Sequence, residues 1–498
     1  MAHLLATTPG DVLASIGIED RDERVTLIGR YHRGYRAYRR LRFLIDPEPE
    51  SLRERLPRTV LLERARKRDH AIAAKRRARA YEFAAEVLRG TWMLLPREVR
   101  RQWHGDVALD ATFLRAPAFA PRNTSLYASS DPGCGWYVRD GDHDGDQAAR
   151  AGRADVRWGR EAHTLLAVSR TNSVPRLTLA FTLDRPGKRI AKNALTVVDI
   201  VAKAYEDIGH EGPVPVGHFI ADRAYLPNSK AEGLPLPLRA RGYKLVMDYD
   251  RTDIDLGVTA SHAGAELVDG QWSCPATPQG LKDASIERYV TKAIPDATYR
   301  ERLERRQAFR LHDKAKADTD GYIRKQCPAV GPHATVSCPL RQMHPKTDGK
   351  SLVRITKQQT PREPVQVCEQ KSITIPPTAG AKHRQEYAYK SEEWRAWYSP
   401  PRQSVESNNK SLKNGAHNPL DDSERRLARG WAALLLVATA LTAAANVRKA
   451  ISWLKEKVAV TYLGERNLGP RRRDRLRNYS VVEDPALANA PPNEARSA

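Results

Sequence analysis

The chain has 498 residues, with 83 Lys and Arg against 60 Asp and Glu and a net charge of +23. A hydrophobic share of 41% is too high for a chain disordered throughout, and five Cys are too few for a disulfide scaffold. The length predicts roughly two to four domains, and the charge predicts a polyanionic partner, with nucleic acid ahead of an anionic membrane surface.

Residues 1–23 (MAHLLATTPGDVLASIGIEDRDE) lack a basic segment followed by a long apolar one. No signal peptide is expected there, so the expected location is the cytoplasm, at the nucleoid, with Cys present as thiols or metal ligands. Residues 1–104 read as a helical, basic DNA-binding region. Arg30, Arg33, Arg36, Arg39 and Arg40 recur at helical spacing, with Tyr31, Tyr35 and Tyr38 between them. Residues 70–87, opening HAIAAKRRARA, are rich in helix formers and hold no Gly or Pro. A solvated helix face is the plain reading of such charge. The excess of one sign with interleaved Tyr favours a DNA-contacting surface, with Arg33, Arg36 and Arg40 as candidate phosphate contacts.

The texture changes at Asp106. Residues 106–114 (DVALDATFL) read as a strand interrupted by Asp110. Residues 117–160 read as a loop rich in Gly, Asp and Arg, followed by strands at 161–170 and 176–183. A helix at 193–208, a strand at 216–221 ending on Asp222, a short mixed piece at 234–241 and a strand at 243–248 complete the series. This order predicts a mixed-sheet α/β core whose first part covers residues 105–248. Residues 249–384 are rich in Lys, Pro, Gly and Thr, with short β-like pieces at 335–338, 352–356 and 372–375, and read as an inserted β-rich subdomain. Helical texture returns over 385–465, with a break expected at Pro400 and Pro401. The apolar run 431–445 (WAALLLVATALTAAA) is shorter than the ~20 residues of a spanning helix, so a core helix is expected and no membrane. Residues 466–498, including PRRRDRLRN, read as a basic disordered tail.

Three carboxylates stand in informative places: Asp110 inside an apolar strand, Asp222 at a strand end and Glu406 in a helix-like segment, RQSVESNNKSLKN. An Asp at a strand end often only forms a turn, and a Glu on a helix is often only solvated. Gathered at one sheet edge, the three would offer hard oxygen ligands to two divalent cations, the arrangement that clamps the attacking and leaving oxygens of a phosphoryl displacement.

These residues resemble the bacterial insertion-sequence transposases of the DDE class, which have an RNase H-like catalytic domain. LDATFL resembles that family's first motif, an Asp on the first strand, and IADRAYL its second, an Asp ending the fourth strand. The cut-and-paste branch carries Y-x2-R-x3-E-x6-K on its last catalytic helix; Arg402, Glu406 and Lys413 match that spacing, while Tyr398 stands one residue farther from Arg402. The resemblance covers roughly residues 105–450. It implies that Asp110, Asp222 and Glu406 bind two Mg2+ (or Mn2+) ions. It also implies that Tyr398, Arg402 and Lys413 meet the terminal DNA strand, and that the reaction is cleavage at transposon ends followed by strand transfer. The implied partners are double-stranded DNA, as terminal inverted repeats and target, and a second copy of the chain. A nuclease or resolvase without strand transfer and a non-catalytic transposase-derived DNA-binding protein are the alternatives.

Other signals are weaker. Asp140, Asp142, Asp144 and Gly145 open like a calcium loop, but Ala151 stands where the loop needs Glu, so an acidic surface loop is expected. Trp136 and Trp158 would pack on the sheet or stack on a base. Cys274, Cys327, Cys338 and Cys368 all fall in the insertion, near His333 and His344. They are either a structural zinc set or independent thiols, and no C-x2-C spacing decides between the two. Cys134 stands apart. His163 would line the site or sit satisfied in the core, His104 and His218 show no partner, and Lys410 would pair with Glu406 along the helix.

Overall fold

The structure is a computed structural model. It describes residues 27–48, 54–139 apart from 119 and 123, 155–206, 213–463 apart from 227 and 348, and also Asp11 and Ala14. The calcium-like motif and the expected basic tail lie outside the described residues. Met1–Val447 form one compact unit and Arg448–Ala498 a second.

Among the described residues before the sheet lie the helices α1 (Leu27–Ile45), α2 (Arg58–Lys67) and α3 (His70–Met93). Asp69 caps α3 by accepting from the amides of Ala71 and Ile72, at 2.8 and 2.9 Å. Ala80, Tyr81, Ala84, Leu88 and Trp92 recur every three or four residues on α3 and belong to its buried stripe.

The main sheet uses β1 (Val107–Arg115), β2 (Gly135–Arg139), β3 (Asp155–Ala167), β4 (Thr178–Asp184), β5 (His218–Ala221) and β6 (Lys244–Met247), with helix α4 (Ile190–Ala204) between β4 and β5. Its order is β4-β3-β1-β5-β6, with β2 beside the start of β3. β3 runs antiparallel to β1, β2 and β4, while β5 and β6 run parallel to β1. The chain is therefore a mixed-sheet α/β protein. Within the expected loop at 117–160, residues 135–139 and 155–160 belong to paired strands, while the described residues of 117–134 lie outside the strands. Trp136 and Trp158 face each other across β2 and β3 with ring centroids 5.3 Å apart, so cross-strand packing holds a stretch whose Gly, Asp and Arg content masks it.

Among the described residues, the segment after β6 has three small sheets: β7 (Val258–His262), β8 (Ala265–Val268) and β9 (Gln271–Ser273); β10 (His312–Asp313), β11 (Ile323–Gln326) and β14 (Ser372–Ile375); and β12 (Val336–Ser337) with β13 (Val353–Arg354). β12, β13 and β14 are the three pieces the sequence predicts. The β7–β9 meander and a twelve-residue helix, α5 (Asp296–Gln307), are additions to that reading. Trp272, Phe309, Leu311, Ile373 and Ile375 form a separate core here. The insertion leaves and returns at one place. The Glu386 amide donates to the Leu245 carbonyl at 2.9 Å, and the Met247 amide to Gln385 Oε1 at 3.1 Å.

Helix α6 (Glu392–Leu412) follows and packs against β1, β5 and β6. It runs unbroken through Pro400 and Pro401, where a break is expected. The two prolines deprive the helix of two amide donors. Burial of Trp394, Pro401, Val405 and Leu412 holds it to the sheet on both sides of that gap.

The last helix, α7 (Trp431–Leu463), is longer than the apolar run that predicts it. Within the described residues its stretch Trp431–Val458 is the one segment long and apolar enough to cross a membrane. Its early residues Trp431, Ala432, Leu435 and Ala438 are buried in one cluster with Tyr81, Leu88, Phe181 and Leu183. Trp431 also donates from Nε1 to the carbonyl of Leu183 at 3.1 Å and meets Tyr81 edge-on.

Candidate active site

Asp110 is in the middle of β1, where the strand's burial falls from complete to partial. β1 and β5 are parallel neighbours, with Leu109 opposite Ala221. One step along each strand therefore sets Asp110 beside Asp222. Glu406 comes from α6, which packs on these strands. The three carboxylates meet at one guanidinium. Arg402 lies 3.4 Å from Asp110 Oδ1, 4.0 Å from Asp222 Oδ2 and 3.9 Å from Glu406 Oε1.

The surroundings differ from one carboxylate to the next. Burial pushes Asp110 up to about 6; Arg402 opposes that shift and Asp222 adds to it. Burial also raises Asp222, again against Arg402, while the Ala224 amide donates to its Oδ1 at 3.0 Å. Asn409 donates from Nδ2 to Asp110 Oδ2 at 3.0 Å. Glu406 is 66% exposed, so the cluster opens to solvent on the α6 side.

The unbroken helix settles the spacing of the expected DNA contacts. Tyr398, Arg402 and Glu406 are each four residues apart, so they share one face of α6. The additional residue between Tyr398 and Arg402 is absorbed by the helix, with no turn. Tyr398 stacks on Trp394 with centroids 4.4 Å apart, and burial raises its phenol. Lys413 stands just past the helix end with Nζ 3.8 Å from Asp421 Oδ2; burial lowers its pKa, opposed by Asp421. The ion partner of Glu406 is Arg402 rather than the expected Lys410. Arg33, Arg36 and Arg40 are exposed along α1 and are not part of this cluster. Tyr31 and Tyr35 stack on the same helix, 6.1 Å apart.

His163 is fully buried on β3, opposite Ala111. Its Nδ1 is 2.7 Å from the Tyr225 hydroxyl, and burial lowers it to about 4, so the imidazole is neutral at pH 7. Burial raises the Tyr225 phenol, and the nearby charges of Asp110 and Asp222 raise it further, so the His163–Tyr225 pair is neutral. His218 is satisfied: Nδ1 lies 2.7 Å from Asp106 Oδ1 and Nε2 2.9 Å from the Tyr387 hydroxyl. Cys134 is buried beside the Arg160–Asp131 ion pair, which is 2.9 Å long. Asn409 is the site residue that sequence reasoning misses, whereas Tyr225 stands inside the IADRAYL segment that resembles the second motif. Asn409 is three residues after Glu406, on the same side of the helix, and that spacing is the signal that could have found it.

Among the described residues no group of three or more His, Cys, Asp or Glu side chains is arranged as a finished metal site. Arg402 is the cationic side chain in contact with all three carboxylates. The chain matches no protein-family model, no curated protein and no solved structure.

Proposed function

We propose that this chain is a DDE-type DNA transposase with an RNase H-like core, which cleaves at transposon ends and transfers the freed strand into target DNA. The observation that carries the reading is the meeting of Asp110, Asp222 and Glu406 at Arg402, from two parallel neighbouring strands and the helix packed on them. The sheet supports it as well. With β2 set aside as a rim strand, Asp110 lies on the first strand and Asp222 ends the fourth.

Carboxylate oxygens are hard donors, and three converging from separate elements fit Mg2+ or Mn2+. Asp110, Asp222 and Glu406 would hold two such ions, which when bound stabilise charge on the oxygens of an in-line displacement at phosphorus. The protein's own residues position this chemistry. Asn409 fixes the second oxygen of Asp110, and the Ala224 amide fixes one oxygen of Asp222. The neutral His163–Tyr225 pair adds no charge that would compete with the carboxylates. Arg402 and Tyr398, on the Glu406 face of α6, offer a guanidinium and a ring to the terminal strand, and Lys413 offers an ammonium at the helix end. The exposed Arg and Tyr of α1 supply phosphate binding away from the reacting atoms. The substrate is double-stranded DNA, acted on by two copies of the chain in the cytoplasm.

The test uses the full chain, linear DNA carrying the sequences that flank its gene, and Mg2+. Joined products that vanish with Asp222→Asn support the proposal. Cleavage without joining would leave a nuclease of the same fold. Mg2+-dependent activity unchanged by Asp222→Asn would overturn the catalytic reading.

A further inference from the structure

Four of the five Cys lie in the insertion, in four separate stretches of sequence, yet all four line one cavity. Cys274 follows β9, Cys327 follows β11, Cys338 follows β12, and Cys368 sits in the helical turn Gln366–Glu369. The cavity measures about 10 Å3, the room of one water-sized centre. We propose that Cys274, Cys327, Cys338 and Cys368 are the ligands of a structural zinc ion that ties the small sheets of the insertion together.

Three of the four share a local design. Each is followed by Pro, at 275, 328 and 339. Each also opens a turn: the Thr277 amide donates to the Cys274 carbonyl at 3.0 Å, Val330 to Cys327 at 3.1 Å and Arg341 to Cys338 at 3.0 Å. Proline fixes φ and carries no amide hydrogen, so the first free amide after the cysteine belongs to the residue beyond it. In two of the turns that amide, from Ala276 or Ala329, donates to the cysteine sulfur. The sulfur of Cys368 receives the amide of Val365. Amides aimed at sulfur favour thiolate over thiol, which is the form a metal ligand takes. Thiols that serve only as small hydrophobic side chains have no need of such donors.

The electrostatics agree. Cys274 is within electrostatic reach of Cys327, Cys338 and Cys368, and all four are free of disulfides. Binding of Zn2+ would release four protons to solvent and leave a net charge of −2 on the four-thiolate centre. Arg341 stands ready for that charge. It reaches Cys327 and is anchored by the carbonyls of Glu369 and Gln370, at 3.2 and 2.6 Å. Among the described residues no cysteine group is already arranged to hold a metal, so binding would have to draw the four sulfurs around the cavity in to the ~2.3 Å of a Zn–S bond. His333 and His344 do not line the cavity. An all-sulfur donor set selects zinc over the Mg2+ or Mn2+ proposed for the carboxylates. The strands here are only two to five residues long, so a metal would tie together the ends of short elements that share one core.

The experiment measures metal content and thiol reactivity of the full chain, without DNA, so its outcome is independent of the transposase proposal. Protein purified from zinc-supplemented medium is expected to carry about one zinc per chain, released as four thiols are blocked by a mercurial. Replacement of zinc by Co2+ is expected to give the intense near-ultraviolet thiolate-to-cobalt band. Cys338→Ser and Cys368→Ser change the two half-exposed ligands and should lower zinc at least tenfold, while Cys134→Ser should retain it. Absence of the cobalt band in the unaltered chain, with all four thiols freely titratable and little zinc bound, would overturn the proposal. Full zinc content in both ligand variants would overturn it too.

Discussion

Asp110→Asn keeps the shape of a side chain held on two sides and removes its charge. Burial lifts this carboxyl from an ordinary 3.8 to about 6 in the folded chain. A folded-state value above the unfolded one means that the native state holds the proton more tightly. The stability this confers is complete below about pH 3.8 and is lost as pH rises through about 6. At 1.36 kcal/mol per unit, the full span is roughly 3 kcal/mol. Asn has no proton to lose, so the stability of Asp110→Asn relative to the unaltered chain should improve by roughly 2 kcal/mol between pH 4 and pH 7.5, the rest of the span lying below pH 4. Urea unfolding of both proteins across that range, without divalent ions, reads the difference directly. The attraction from Arg402 at 3.4 Å is about 5 kcal/mol before solvation costs, at an effective dielectric of 20. Arg402→Met should therefore push the window to higher pH. Added Mg2+ should narrow the gap at pH 7.5 by favouring the ionised carboxylate. Parallel stability profiles for the unaltered chain and Asp110→Asn would refute the claim that this carboxylate is held out of water against its charge.

Three further outcomes are expected. Glu406→Gln alters an exposed side chain, so unfolding should move by no more than about 0.5 kcal/mol while Mg2+-dependent DNA cleavage falls roughly 10²–10³-fold or more; a cleavage assay beside a melting curve checks both. Trp431→Ala removes a buried ring and its bond to the Leu183 carbonyl, and should cost about 3–5 kcal/mol in urea unfolding. Reversing Arg33, Arg36 and Arg40 to Glu should weaken DNA binding and reduce the salt slope of log K by up to about 2.7, read by fluorescence anisotropy at several salt concentrations. An unchanged slope would return this charge to the role of a solvated face.

The sheet was legible because its strands are short apolar runs with clear ends, and Asp110 and Asp222 were legible because each interrupts or ends such a run. What the sequence hides is pairing. Nothing local in residues 117–160 announces that Trp136 will face Trp158, since that contact is made across strands. The prolines at 400 and 401 misled for a related reason. Local chemistry predicts a break, while burial of Trp394 and Val405 against a sheet built from distant residues keeps the helix whole. The Cys-Pro repeat was visible as letters, but its convergence depends on four strand and helix ends meeting around one cavity. The pairing of Arg402 with all three carboxylates belongs to the same class: it joins two strands and a helix whose sequence positions span residues 110–406.

The bonds that join Leu245 to Glu386 and Met247 to Gln385 have a consequence for how such a chain can change over time. They close residues 250–383 into a loop whose two ends are already together. For a loop closed in this way, doubling its length costs only about 0.6 kcal/mol. Material can be added to it, trimmed from it or exchanged wholesale while the clasp keeps Glu406 over Asp110. The insertion is thus an appendage on which new recognition surfaces can be tried at little expense to the fold that carries the carboxylates.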